Sequence, residues 1–234
     1  MGNAMLIKAG GSSGGIGSSG MPTEGRFTYN AEYICTYTGN YLISCIGGGG
    51  AGGSCYDYNS KNEWDIGGSG GGSGYVNQKT IRMNAGDRYE MTIGAGGVGG
   101  INVAGGAGGT TSFGTLVSAA GGGGGPIYTS WKNANIAVGG AGFSYGYPRW
   151  YANNGKYSYG YGGAIAIDYR DKNNIFSLTN VYMGTGAVLD DYNCIRIMYG
   201  DGGQGMDAAN IANATPRYAG GNGTKGCIFV NFIN

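Results

Sequence analysis

Glycine supplies 55 of the 234 residues, while charged side chains make up 12% and leave a net charge of +1, so the chain has neither the basic stripe of a nucleic-acid binder nor a polyelectrolyte tail. Twenty Tyr, six Phe and three Trp argue against a disordered low-complexity chain, which would be poor in aromatics. No histidine is present, so the G-x-S-x-G matches centred on Ser12, Ser13 and Ser69 cannot belong to a Ser-His-Asp triad.

The first residues, MGNAMLIKAGG, lack the apolar stretch of a signal peptide, and no run of 18 apolar residues occurs, so neither secretion nor a membrane span is expected. Residues 10–20, GGSSGGIGSSG, are Gly or Ser at all but one position, the composition of a flexible linker. The expected organisation is an attachment peptide and linker over 1–25, followed by one glycine-rich domain over 26–234 with aromatic inserts at 126–161 and 164–200. From Phe27 onward, strand-like segments alternate with glycine runs. AEYICTYTG and NYLISCIG read as one hairpin, QKTIRMNAGDRYEMTIG as a second turning at NAGD, TTSFGTLVSAAG as a third turning at Gly114, and KGCIFVNFI as a closing strand. The five cysteines show no C-x-x-C and read as free, mostly buried thiols in a reducing cytosol.

The glycine runs keep a period of three: A-GG-V-GG-I from Ala95, A-GG-A-GG-T from Ala104, V-GG-A-G from Val138, D-GG-Q-G from Asp201 and A-GG-N-G from Ala219. Three residues per turn is the polyproline II helix, and four prolines exclude collagen. An X-G-G helix carries its side chains on one edge, leaving two bare edges that can pack backbone on backbone. Ordering so much glycine is entropically expensive, so the rods should form only where many stack together. The predicted fold class is therefore mostly β and irregular: a glycine-rich sandwich of packed polyglycine II helices with β-hairpins and almost no α-helix. Gly94, Gly97, Gly100, Gly105 and Gly108 are the expected scaffold glycines.

IGAGGVGG, 93–100, also spells G-x-G-x-x-G at Gly94, Gly96 and Gly99. No helix-forming run follows, and the next acidic residue after Glu90 is Asp168, so the ribose-binding carboxylate of a dinucleotide site is missing. GGQGMDAAN, 202–210, matches a calcium nonapeptide with Asp207 as ligand, but such sites are shared between tandem turns and this is a single copy. Neither a metal nor a cofactor is expected. A depolymerase would need two carboxylates across a cleft; Asp190 and Asp191 are adjacent and would face opposite sides of a strand, so no catalytic activity is expected.

The chemistry of recognition concentrates in the inserts. Residues 126–161 hold ten aromatics in 36 positions, mixed with Ser, Gly and Asn, the composition of a binding surface with rigid amphipathic anchors and adaptable hydrogen bonding. Tyr145, Tyr147, Trp150, Tyr151, Tyr157, Tyr159, Tyr169 and Arg170 are the expected binding residues.

Taken in order, YTGNYLISCIGGGGAGG, YEMTIGAGGVGG, GGTTSFGTLVSAAGGGGG and GGNGTKGCIFVNF resemble the glycine-rich domains of bacteriophage tail proteins, similar in design to the distal long-tail-fibre adhesins of T-even-like phages. The resemblance covers roughly 27–125 and 200–234. It implies a polyglycine II sandwich in the virion tail, made in the host bacterial cytoplasm. Variable loops would be presented to a bacterial surface protein or polysaccharide, and the N-terminus would join other tail proteins, without nucleic-acid binding or membrane insertion. A structural tail-tip, fibre or decoration component without receptor binding is the alternative.

Overall fold

A computed structural model describes residues 15–16, 22–54, 70–126, 164–168, 175–178, 194–196, 199–203 and 220–233. Twelve strands form three antiparallel sheets: β1 (Gly15–Ile16), β2 (Pro22–Phe27), β12 (Cys227–Phe232), β4 (Gly39–Ile46) and β5 (Val76–Met83) in one, in that order; β3 (Ala31–Ile34), β6 (Arg88–Thr92), β7 (Thr111–Phe113) and β8 (Val117–Ala119) in the second; β10 (Ile175–Leu178), β9 (Ala164–Asp168) and β11 (Cys194–Arg196) in the third. Among the described residues there is no helix.

The first two sheets stack as a sandwich. Alternation in β4 turns Tyr41, Ile43 and Cys45 inward, and the register across β12 sets Ile228 and Val230 beside them. Phe27, Tyr33, Met83, Met91, Phe113 and Val117 complete this core. The Tyr33 ring meets Phe27 edge-on, with centroids 5.9 Å apart, and Phe113 at 5.4 Å.

Two of the three predicted hairpins are not hairpins. β3 pairs with β6, whereas β4 pairs with β5 and β12, so AEYICTYTG and NYLISCIG lie in different sheets. Likewise β5 and β6 flank the predicted NAGD turn, closed by Asp87 N–H to Asn84 O at 3.1 Å with Gly86 at φ 91°, but the turn carries the chain from one sheet to the other. In both cases each strand has an inward apolar row, and facing those rows across the sandwich buries more than joining the strands edge to edge. The third prediction matches: β7 and β8 pair around Gly114 at φ 52°. The closing strand is β12, lying between β2 and β4. The Gly/Ser tract read as linker contributes Gly15 and Ile16 to β1, and β2 starts at Pro22, within the same segment. The 164–200 insert, read as irregular, contains the whole third sheet.

Seven glycine-rich rods extend from the sandwich among the described residues: rod 1 (47–54), rod 2 (70–75), rod 3 (94–100), rod 4 (104–110), rod 5 (120–126), rod 6 (200–203) and rod 7 (220–226). Rod 1 is the axis. Its N–H groups donate in strict rotation to three neighbours: Gly47 to Tyr75 of rod 2, Gly48 to Gly109 of rod 4, Gly49 to Thr224 of rod 7, then Gly50 to Gly72, Ala51 to Gly106 and Gly52 to Gly221. Its carbonyls accept from the other three, Gly48 from Gly122 of rod 5, Gly49 from Gly97 of rod 3 and Gly50 from Gly203 of rod 6. Turning to a new neighbour at each residue and returning after three is the signature of a threefold helix.

The six outer rods also close on one another, in the order 2, 5, 4, 3, 7, 6 and back to 2. The links are Gly72 to Gly123, Gly108 to Gly122, Gly109 to Ala95, Gly223 to Gly97, Thr224 to Asp201 and Gly71 to Gly203, each donor first. Rods 2, 4 and 7 run antiparallel to rod 1 and alternate around it with the parallel rods 3, 5 and 6, so donor and acceptor partners alternate around the hexagon. The spacing explains the composition: a Cβ on Gly48 would overlap the carbonyl oxygen of Ala95, and one on Gly108 that of Gly48. On the outer rods the X positions face water, as at Ala95, Val98, Ala104, Ala107 and Asn222.

Candidate functional site

Strand direction gives the molecule two poles. Strands β4, β6 and β8 run directly into rods 1, 3 and 5, and rods 2, 4 and 7 return into β5, β7 and β12. The rods therefore end at Ser54, Gly100, Pro126 and Gly203, and start again at Gly70, Ala104 and Gly220, all at the pole away from the sandwich. β2 pairs Phe27 with Ile228 and Gly25 with Val230, so the chain enters the sheet from the opposite pole.

The best-defined part of the far pole is the turn from rod 3 to rod 4. Ile101, Asn102 and Val103 make the reversal, with Asn102 at φ 56°, a left-handed conformation that asparagine tolerates better than most side chains. Ser54, fully buried at the end of the axial rod, pins it. Its Oγ accepts from Val103 N–H at 2.8 Å and donates to Val103 O at 3.0 Å, and its own N–H donates to the same carbonyl at 3.2 Å. Beside the turn, Gly99 N–H donates to Asn222 Oδ1 at 2.8 Å, joining rods 3 and 7. Val98, Ile101 and Val103 project into water, with 71%, 51% and 49% of their surface exposed. Nothing in the periodicity singled these residues out; Ser54 stood only as the first residue other than Gly or Ala after GGGGAGG.

The scaffold glycines lie in rods 3 and 4. A side chain at Gly94, Gly97, Gly105 or Gly108 would overlap the carbonyl oxygen of Gly109, Gly106, Ala51 or Gly48 respectively. Gly100 differs, since a Cβ there meets only the Val103 Cγ2, at 2.6 Å. Gly94, Gly96 and Gly99, the G-x-G-x-x-G triplet, face rods 4 and 7 in an extended rod, so the backbone amides that would cradle a pyrophosphate at a helix start are not assembled. Tyr145, Tyr147, Trp150, Tyr151, Tyr157, Tyr159, Tyr169, Arg170 and the calcium candidate Asp207 lie outside the described residues. Among the described residues no three His, Cys, Asp or Glu side chains come together as metal ligands.

The described cysteines whose side chains are placed, Cys35, Cys45 and Cys227, are free and buried. Burial pushes the Cys45 thiol up to about 12 and raises Cys227 further, so both are inert thiols rather than nucleophiles. Tyr41, also raised chiefly by burial, donates its hydroxyl to Tyr37 O at 2.8 Å.

These features define a class of protein, a polyglycine II bundle built on a β-sandwich, with the connections between rods gathered at the free end. Across residues 21–232 the sequence matches the glycine-rich domain family, and the chain belongs to that family. Comparison with curated proteins found no match. No helix among the described residues is long and apolar enough to cross a membrane.

Proposed function

We infer that the protein is a bacteriophage tail adhesin, a receptor-binding protein that recognises a bacterial surface protein or polysaccharide through Tyr- and Trp-rich segments carried on a polyglycine scaffold. The observation that carries this reading is the polarity of the chain: the N-terminal strand β2 enters at the sandwich pole, and rods 1, 3, 5 and 6 end at the other. A protein attached to other tail components through its N-terminus would turn the far pole outward, and the aromatic segment from 126 onward continues from Pro126 at that pole. A scaffold hydrogen-bonded in every lateral direction suits this role, because binding residues held on a rigid support lose little entropy on contact. On this reading Tyr145, Tyr147, Trp150, Tyr151, Tyr157, Tyr159, Tyr169 and Arg170 bind the receptor. The protein is then a non-enzymatic virion component made in the host cytoplasm, needing no cofactor.

The test is retention of the purified chain on intact candidate host cells, untreated or treated with protease or periodate. Binding lost after one treatment supports an adhesin and assigns the receptor to protein or glycan. No binding to any host that propagates the phage would instead support a structural tail component.

A further inference from the structure

The far pole carries a contact surface separate from the aromatic segments. Val98, Ile101 and Val103 lie within six residues of one another and are among the most exposed large apolar side chains of the described residues. Water-exposed aliphatic groups gathered at one point, on a chain that otherwise buries its aliphatics between sheets, mark an interaction surface. Two further observations bear on its purpose. The turn is fixed rather than loose, since Ser54 directs its hydroxyl and its backbone N–H to Val103. The surroundings are uncharged: from Met91 to Trp131 the chain has no Asp, Glu, Lys or Arg.

We propose that Val98, Ile101 and Val103 form a preorganised aliphatic pad that docks against an apolar patch on a protein receptor at the bacterial surface. The proposal rests on the adhesin reading and narrows its receptor class. Aliphatic groups gain by covering other apolar surface. A polysaccharide would press its hydroxyls against methyl groups that cannot hydrogen-bond them, and that desolvation is unfavourable. A second copy of the chain is a poor occupant, because three side chains are far from the ~800 Å² per partner that a stable interface buries. Three side chains suffice as the centre of a larger contact, and the pad sits among the ends of rods 1, 5 and 6, where the neighbouring segments begin.

The experiment compares the full chain with the triple variant Val98→Ser, Ile101→Ser, Val103→Ser for binding to host cells, with and without protease or periodate treatment. A control variant, Ala95→Ser with Ala107→Ser, alters exposed X positions away from the turn, and thermal melts verify that each protein is folded. The expected result is binding by the wild-type chain that is abolished by protease, a loss of about tenfold or more in the triple variant at unchanged melting temperature, and no loss in the control. Triple-variant binding within about twofold of wild type, or wild-type binding that survives protease and disappears after periodate, overturns the pad while leaving the adhesin intact. Failure of the wild-type chain to bind any susceptible host overturns the adhesin reading and the pad with it.

Discussion

Single atoms decide most of this structure at the glycines. A Cβ on Gly97 would overlap the carbonyl oxygen of Gly106 and lie 2.6 Å from the amide nitrogen of Ala51, and both are backbone atoms held on other sides. Gly97→Val should therefore cost about 3 kcal/mol or more, seen as loss of soluble folded protein, whereas Ala107→Ser at an exposed X position should fall within about 0.5 kcal/mol of wild type in denaturant titration. Equal stability of the two variants would refute the packing described for rod 3. The buried Cys45 thiol makes a separate prediction. Its value rises from 9.0 to about 12 on folding, so the folded state holds its proton more tightly than the unfolded state does. That contribution is complete below about pH 9 and is lost progressively as the pH climbs toward 12, with Cys227, Tyr33 and Tyr41 shifted in the same direction. The melting temperature should fall steeply above pH 9, and thiol reagents should modify these cysteines only as the protein unfolds. Ser54→Ala should speed hydrogen exchange at the Val103 amide, because that N–H loses its acceptor at the end of the axial rod.

Among the elements, rod 7 with β12 has the largest share of the architecture. β12 lies between β2 and β4, and rod 7 bonds to the axial rod and to rods 3 and 6. Ending the chain at residue 219 would remove the strand that connects β2 to the sheet and open the hexagon, leaving rows of unpaired backbone groups. The truncated chain should be insoluble or unfolded by circular dichroism; a folded product would mean that the ring need not close. The strands themselves were legible, since period-two alternation marks β4 and β6, and Gly114 marks the β7–β8 turn. Their partners were not. Alternation says which side chains share a face and nothing about whether two consecutive strands lie side by side or across a core from each other.

Across the whole molecule, sheet and bundle are one body, because strands pass into rods without a break and rod 1 touches every other rod. Thermal unfolding should accordingly show one transition in which the β signal and the extended-helix signal vanish together; two resolved transitions would show that the sandwich survives without the lattice. The same continuity gives the molecule its polarity, and the receptor-binding proposal rests on it.

By itself, the sequence determined that glycine runs of period three would be threefold helices, that they had to associate to exist, and that the strands between them would carry alternating apolar rows. Those properties are local, set by the missing Cβ and by side-chain periodicity. Only the tertiary structure decided that residues 47–54 would be the axis, which rods would ring it and in what order, and that the Val98–Val103 turn would be pinned by a buried serine 49 residues earlier in the chain. Every glycine rod offers the same donors and acceptors in all lateral directions, so its partners are chosen by the strands that deliver it and the core those strands share, not by its own residues.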